Sequence, residues 1–218
     1  MLFRSKKYAD KVIKKRWGIE VEHLKALKTY EEQFYSIFQK RKLCGKIYGF
    51  PLIHRSWCQQ RLKSPVFNKI GGSFQYVGLA ADESKRLAKL SEKKISPLQL
   101  IGWSESECRE WCEENDLLSP IYTDSLRGGC WFCHFQRTEQ LRLLRQKYPD
   151  YWEKLLQWDD DSDITFKPGG YTVHDFDLRF QMEDAGSIPT DKSFRWAMIK
   201  GEKQIPGQIN IFDWMKKQ

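Results

Sequence analysis

Apolar and polar positions alternate along this chain with two different periods. Residues 6 to 17 place Tyr8, Val12 and Ile13 on one side of a helical wheel and lysines around the rest, and Gly18 follows where a left-handed residue ends a helix. Ile19, Val21 and His23 then alternate with Glu20, Glu22 and Leu24, which predicts a short strand. Thr29-Tyr-Glu-Glu32 is a capping box for a second helix carrying Phe34 and Phe38. Phe74 to Ala80 reads as a buried strand, and Asp82 as the cap of a helix running to about Lys94. Ser104-Glu-Ser-Glu107 opens a further helix with Cys108, Trp111 and Cys112 on one face. Residues 138 to 148 and 150 to 158 form two helices separated by Pro149, with Leu141, Leu144, Trp152, Leu155 and Leu156 as their buried stripe. Asp159-Asp-Asp161 and the Lys167-Pro-Gly-Gly170 turn mark a boundary, followed by a tail of weaker pattern. Helices interleaved with short strands predict an α/β protein.

Composition narrows this. The 218 residues are 40% hydrophobic and 14% aromatic, enough to fill a core. No stretch approaches the roughly 18 apolar residues of a membrane span, and the basic, amphipathic start does not resemble an export signal, so a cytoplasmic protein with no membrane partner is expected. Charge is uneven: residues 1–70 hold 17 Lys/Arg against 5 Asp/Glu, or +12, which leaves −4 of the net +8 for the remainder. The basic part suits an anionic partner, whether nucleotide, sulfate or nucleic acid, although a solvated lysine-rich helix face accounts equally for Lys6, Lys7, Lys11, Lys14 and Lys15.

Six cysteines, at 44, 58, 108, 112, 130 and 133, in a chain expected to be cytosolic point to metal ligation or catalysis rather than to disulfides. Cys130-Trp-Phe-Cys133 is half of a metal knuckle, placed behind Gly128-Gly129, which would let the backbone double back. Cys58 and one of Cys108 or Cys112 are able to complete four thiolates; helical spacing does not choose between the last two, and Cys44 reads as an incidental thiol. Four thiolates suit zinc and an iron-sulfur cluster equally. A redox dithiol is the weaker alternative, because the pair follows a loop far from any βαβ start.

Four motifs in order carry a resemblance: Gly49-Phe-Pro51 with Arg55-Ser-Trp-Cys58-Gln-Gln-Arg61-Leu-Lys63, then Val77-Gly-Leu-Ala-Ala-Asp82-Glu83-Ser-Lys-Arg86, then Cys112-Glu-Glu-Asn-Asp-Leu-Leu-Ser-Pro-Ile-Tyr122, then Arg127-Gly-Gly-Cys130-Trp-Phe-Cys133. Over about residues 10 to 160 the chain resembles the phosphoadenosine phosphosulfate (PAPS) reductase-like family of the adenine nucleotide alpha-hydrolase superfamily, and most closely its phage and DNA-phosphorothioation members. The resemblance implies a Rossmann-like parallel sheet binding ATP or PAPS, with Arg55, Arg61, Lys63 and Arg127 at the anionic groups and Asp82, Glu83 and Arg86 beside the nucleotide pocket. A capped, salt-bridged helix start explains the last three as well. It also implies Cys58, Cys112, Cys130 and Cys133 as ligands of a 4Fe-4S cluster or zinc. Residues 6–125 would be the remainder of the nucleotide-binding domain, 126–160 the Cys-rich knuckle with its helical segment, and 161–218 a C-terminal tail.

Two departures shape the functional expectation. The Ser-Gly-Gly-x-Asp-Ser loop with which family members hold phosphates is not found, and neither is the C-terminal Glu-Cys-Gly-Leu-His segment of the sulfonucleotide reductases. The first strand and phosphate loop are thus expected to be missing, and Met1-Leu-Phe-Arg-Ser5 matches a translated sequencing adapter, which reads as a truncated gene. No catalytic residue is singled out. The expectation is a fragment that handles sulfur by sulfonucleotide reduction or sulfur transfer and turns over little by itself. Two alternatives are a nucleic-acid-binding module with structural zinc, and a subunit completed by a separate loop-bearing chain. Gln208-Ile-Asn-Ile211-Phe212 is similar to the peptide by which replication proteins dock on the sliding clamp, though a tail packed back on the domain explains it too.

Overall fold

The computed structural model describes residues 2–39, 44–51, 56–118, 122 and 129–199, with side chains from Tyr8 onward. The chain divides into two compact units, the first formed by Met1–Leu24 with Phe67–Gly128 and the second by Lys25–Val66 with Gly129–Gln218. Each is described in its own terms.

In the first unit α1 spans Leu2–Trp17 and ends where expected, at Gly18 (φ 66°), whose N–H returns to the Lys14 carbonyl at 3.0 Å. No strand follows. Ile19, Val21 and Leu24 are exposed, and Lys14–Glu20 and Asp10–His23 contacts of 2.6 and 2.7 Å draw the segment back onto α1 instead of toward a sheet. The expected strand at 74–80 is reduced to β1 (Gln75–Tyr76), which pairs in parallel with β2 (Lys94–Ile95), Gln75 opposite Lys94. Only its far end is buried: Leu79 and Ala80 are covered while Phe74 and Tyr76 face solvent.

The helix expected from Asp82 to Lys94 is the single turn α4 (Ser84–Leu87). Its cap is spent elsewhere. The Asp82 carboxylate accepts the Glu105 N–H at 3.1 Å, and Lys93 and Lys94 are taken by the sheet. Ser96 caps α5 (Pro97–Leu100) with Pro97 at its first position, and Ser104 and Glu107 close the expected capping box of α6 (Glu105–Glu114). Trp111 of α6 lies 6.3 Å from the rings of both Trp17 and Trp103. The observed class is therefore mixed helix and strand, with a two-stranded parallel sheet.

The second unit is helical. Thr29 and Glu32 form the expected capping box of α2 (Tyr30–Phe34), which stops before Phe38; that residue stacks on Tyr48 beside an antiparallel bridge between Ile37 and Ile47. A π-helical stretch Cys58–Lys63 runs into α3 (Ser64–Phe67). Next come α7 (Thr138–Lys147), α8 (Pro149–Asp161) and α9 (Val173–Asp184), and then a 3-10 turn at Trp196–Ile199. Pro149 starts α8 rather than merely separating two helices, because the first helical N–H needs no partner.

The stretch beyond residue 161 is not weakly patterned in space. Ile164, Phe166, Val173, Phe176 and Phe180 join Phe34, Phe50, Trp57, Leu141, Leu144, Trp152, Leu155 and Trp158 in one core. Nor is Asp159 part of a boundary: it is fully buried in the last turn of α8 and accepts the His174 N–H of α9 at 3.1 Å. Its helical setting outweighs the local composition, because α9 needs an acceptor at its N-terminus. The Lys167–Gly170 turn forms as expected, closed by the bridge between Lys167 and Tyr171 with Gly169 and Gly170 at φ 86° and 81°.

Candidate functional site around Tyr30

Tyr30, the residue that opens α2, lies against the knuckle. Its ring stacks on Phe132, between Cys130 and Cys133, at 3.9 Å, and lies 4.8 Å from Trp57, the residue before Cys58. Trp158 of α8 closes a third side at 5.3 Å. Trp57 is itself fixed, its indole N–H donating to the Gly49 carbonyl at 3.2 Å. Two segments distant in sequence are thus brought to one aromatic box by ordinary core packing.

Local hydrogen bonds shape the knuckle. The Cys133 N–H donates to the Cys130 carbonyl at 3.1 Å, and the Gln136 side-chain amide donates to the same oxygen at 2.7 Å. Lys167 in turn donates to the Gln136 carbonyl. Gly129 is not what allows the turn: its φ is not left-handed, and an added Cβ would meet nothing within 4 Å. Gly128 lies outside the described residues.

The thiols of Cys58, Cys130 and Cys133 all lie within electrostatic reach of the Tyr30 hydroxyl. Burial pushes the Cys58 thiol up, the Lys63 ammonium opposes that, and the thiolates of Cys133 and Cys130 add to it. Burial also pushes the Lys167 ammonium down to about 8, against the pull of Cys133. The neighbouring His134 is buried, and desolvation followed by repulsion from Lys167 lowers its pKa to about 4. His134 therefore stands as a neutral imidazole, a group the sequence reading passed over and that only its burial singles out.

The Tyr30 hydroxyl oxygen is sealed from solvent and has no hydrogen-bond partner among the described residues. None of the six cysteines is in a disulfide. Thiolates are soft ligands of the kind that suits zinc or an iron-sulfur cluster. No group of three His, Cys, Asp or Glu side chains among the described residues is positioned to hold a metal ion.

The other expected site residues have settings of their own. Cys112 lies on α6 of the first unit with Cys108 one turn before it, and burial raises both thiols. Asp82 caps α6, while Glu83 accepts the Ala80 N–H and pairs with Arg86, the contacts of a salt-bridged helix start. The Arg61 guanidinium covers the Tyr48 ring at 4.8 Å, and Lys63 is exposed beside Cys58. Arg55, Arg127 and the segment Gln208–Phe212 lie outside the described residues. Among the described residues no helix is long and apolar enough to cross a membrane. No protein family, characterised protein or solved structure matches the chain.

Proposed function

We propose that this chain is a PAPS reductase-like protein that binds an adenine nucleotide or sulfonucleotide on a Rossmann-like α/β domain and handles sulfur at a cysteine-ligated metal or iron-sulfur centre. One observation carries the reading: Trp57, next to Cys58, and Phe132, between Cys130 and Cys133, pack on the same Tyr30 ring within one compact unit although far apart in sequence. In this reading Cys58, Cys130 and Cys133 hold the centre, Cys112 is the fourth ligand that the resemblance implies, and Arg55, Arg61, Lys63 and Arg127 attract the anionic substrate. Bound there, an iron-sulfur cluster would supply electrons, and zinc would supply structural cross-linking. Lys63 lies near enough to Cys58, and Lys167 to Cys133, to compensate thiolate charge.

Anaerobic purification with metal analysis tests this. Protein that carries iron and visible charge-transfer absorption supports a cluster, and one zinc per chain supports a mononuclear site. Cys58→Ser and Cys130→Ser should each lose most of the metal, and Cys112→Ser tests the fourth ligand. Exposed Cys44→Ser should lose none. Metal-free wild-type protein would overturn the reading. Little ATP or sulfonucleotide turnover is expected from these 218 residues alone.

A second reading, a nucleic-acid-binding module with structural zinc, is favoured by one feature, the exposed Lys11, Lys15 and Arg16 along α1. It requires affinity for nucleic acid that falls steeply as salt rises.

A further inference from the structure

β1 carries its aromatic residues on the outside. Phe74 and Tyr76 are 60% and 76% exposed, while Gln75 and Val77, which alternate with them, are half-buried. Neither ring packs on another aromatic ring among the described residues. The Gln75–Lys94 and Tyr76–Ile95 register, continued by one residue, sets Lys93 opposite Phe74, and the Gln75 N–H donates to the Lys93 carbonyl at 2.8 Å. Lys69, Lys93 and Lys94 are exposed and make no ion pair among the described residues. Residues 67–94 hold six Lys/Arg against three Asp/Glu. Two of those acids are already engaged, Asp82 with the Glu105 N–H and Glu83 with Arg86. Bare rings among uncompensated lysines are left facing water.

We infer that this face of the β1–β2 sheet binds single-stranded nucleic acid, with bases stacked on Phe74 and Tyr76 and phosphates drawn to Lys69, Lys93 and Lys94. Residues two apart on a strand stand about 6.7 Å from one another on one face, which leaves each ring free to take its own base. A duplex hides the faces of its bases, so the rings select an unpaired strand. The lysines select the anion, because an apolar protein surface laid on this face would bury ammonium groups with no counter-charge. The inference does not depend on what the cysteines hold, and it uses residues other than those of α1.

Fluorescence anisotropy with a labelled oligothymidylate of about 12 nucleotides tests it on the full chain. Phe74→Ala and Tyr76→Ala should each weaken binding by about 5- to 100-fold, the range for one stacked base, with Tyr76→Trp restoring it. Lys93→Gln should instead lower the slope of log affinity against log salt by about 0.7, the share of one phosphate contact. A duplex of the same length should bind more weakly. In wild-type protein, ultraviolet cross-linking to an iododeoxyuridine-substituted strand should place the adduct on Phe74 or Tyr76, a readout that needs no variant. Unchanged affinity in both alanine variants together with an adduct elsewhere overturns the inference. If affinity falls in Lys11→Gln and Lys15→Gln but not in these variants, α1 alone carries the nucleic acid and the sheet face does not. Self-association of the wild type that Tyr76→Ala abolishes would assign the face to a second copy and equally overturn it.

Discussion

The ring of Tyr30 stacks on that of Phe132 with centroids 3.9 Å apart and planes inclined by 29°. This contact ties the start of α2 to the middle of the Cys130–Cys133 turn, and Phe132 also packs edge-on against Trp131 at 5.1 Å and Trp158 at 5.8 Å. Phe132→Ala should destabilise the second unit by about 2–4 kcal/mol, somewhat below a fully enclosed phenylalanine because this one is only partly buried. Urea denaturation followed by tryptophan fluorescence checks it. A loss under 1 kcal/mol would mean that the stack does not hold the knuckle.

Glu183 on α9 is shared by two guanidiniums. Arg142 of α7 donates to one carboxylate oxygen at 3.0 and 2.6 Å, and Arg179 donates to the other at 2.7 Å while lying 3.5 Å over the Phe194 ring. The Glu183 side chain is 1% exposed, so deleting it strands buried positive charge. Glu183→Ala is expected to cost about 3–5 kcal/mol in urea denaturation, the range for breaking one side of a buried pair. A near-neutral result would show that the arginines find water instead.

Asp159 gives the pH dependence a sign. Burial pushes its carboxyl up from the ordinary 3.8 to about 6, with the N–H groups of His174 and Val173 pulling the other way. A folded pKa above the unfolded one means that the native state binds the extra proton. The contribution is therefore complete below pH 3.8 and is lost as pH rises through about 6. Asp159→Asn, which stays neutral and still accepts those N–H groups, should gain stability relative to wild type across that window and hold the gain above it. Melting temperatures measured at a series of pH values check this, and a pH-independent difference between the two proteins would contradict it.

Gly49 sits at φ 59° with the oxygen of the Ser162 hydroxyl where a Cβ would go. That hydroxyl also receives the N–H groups of Phe50 at 3.3 Å and Ile164 at 3.1 Å, so it has no easy place to move. Gly49→Ala combines left-handed strain with overpacking and should cost about 2–4 kcal/mol. It should also disturb Trp57, whose indole bonds the Gly49 carbonyl, and hence the environment of Cys58. Thermal melting, with tryptophan emission as the second readout, tests both effects.

Local signals in the sequence determined several elements directly. Gly18 ends α1, Thr29/Glu32 and Ser104/Glu107 cap α2 and α6, and the apolar period of residues 138–158 becomes α7 and α8. Each depends on atoms within a few residues of one another, so the local sequence suffices. The Cys130-Trp-Phe-Cys133 spacing likewise marks the candidate site, although the turn forms through the Cys133 and Gln136 hydrogen bonds rather than through Gly129.

Tertiary structure decided whatever required a distant partner. Ile19 to Leu24 has strand alternation but no strand beside it, and Asp82 has a capping residue's chemistry yet caps the later helix α6. Asp159 reads as a polar boundary until α9 supplies the backbone N–H groups that make its burial tolerable. Tyr30 looked like one aromatic of a short helix. Only the folding of residues 57 and 132 onto its ring sealed its hydroxyl from solvent, because stacking and burial depend on distance in space and not on separation along the chain.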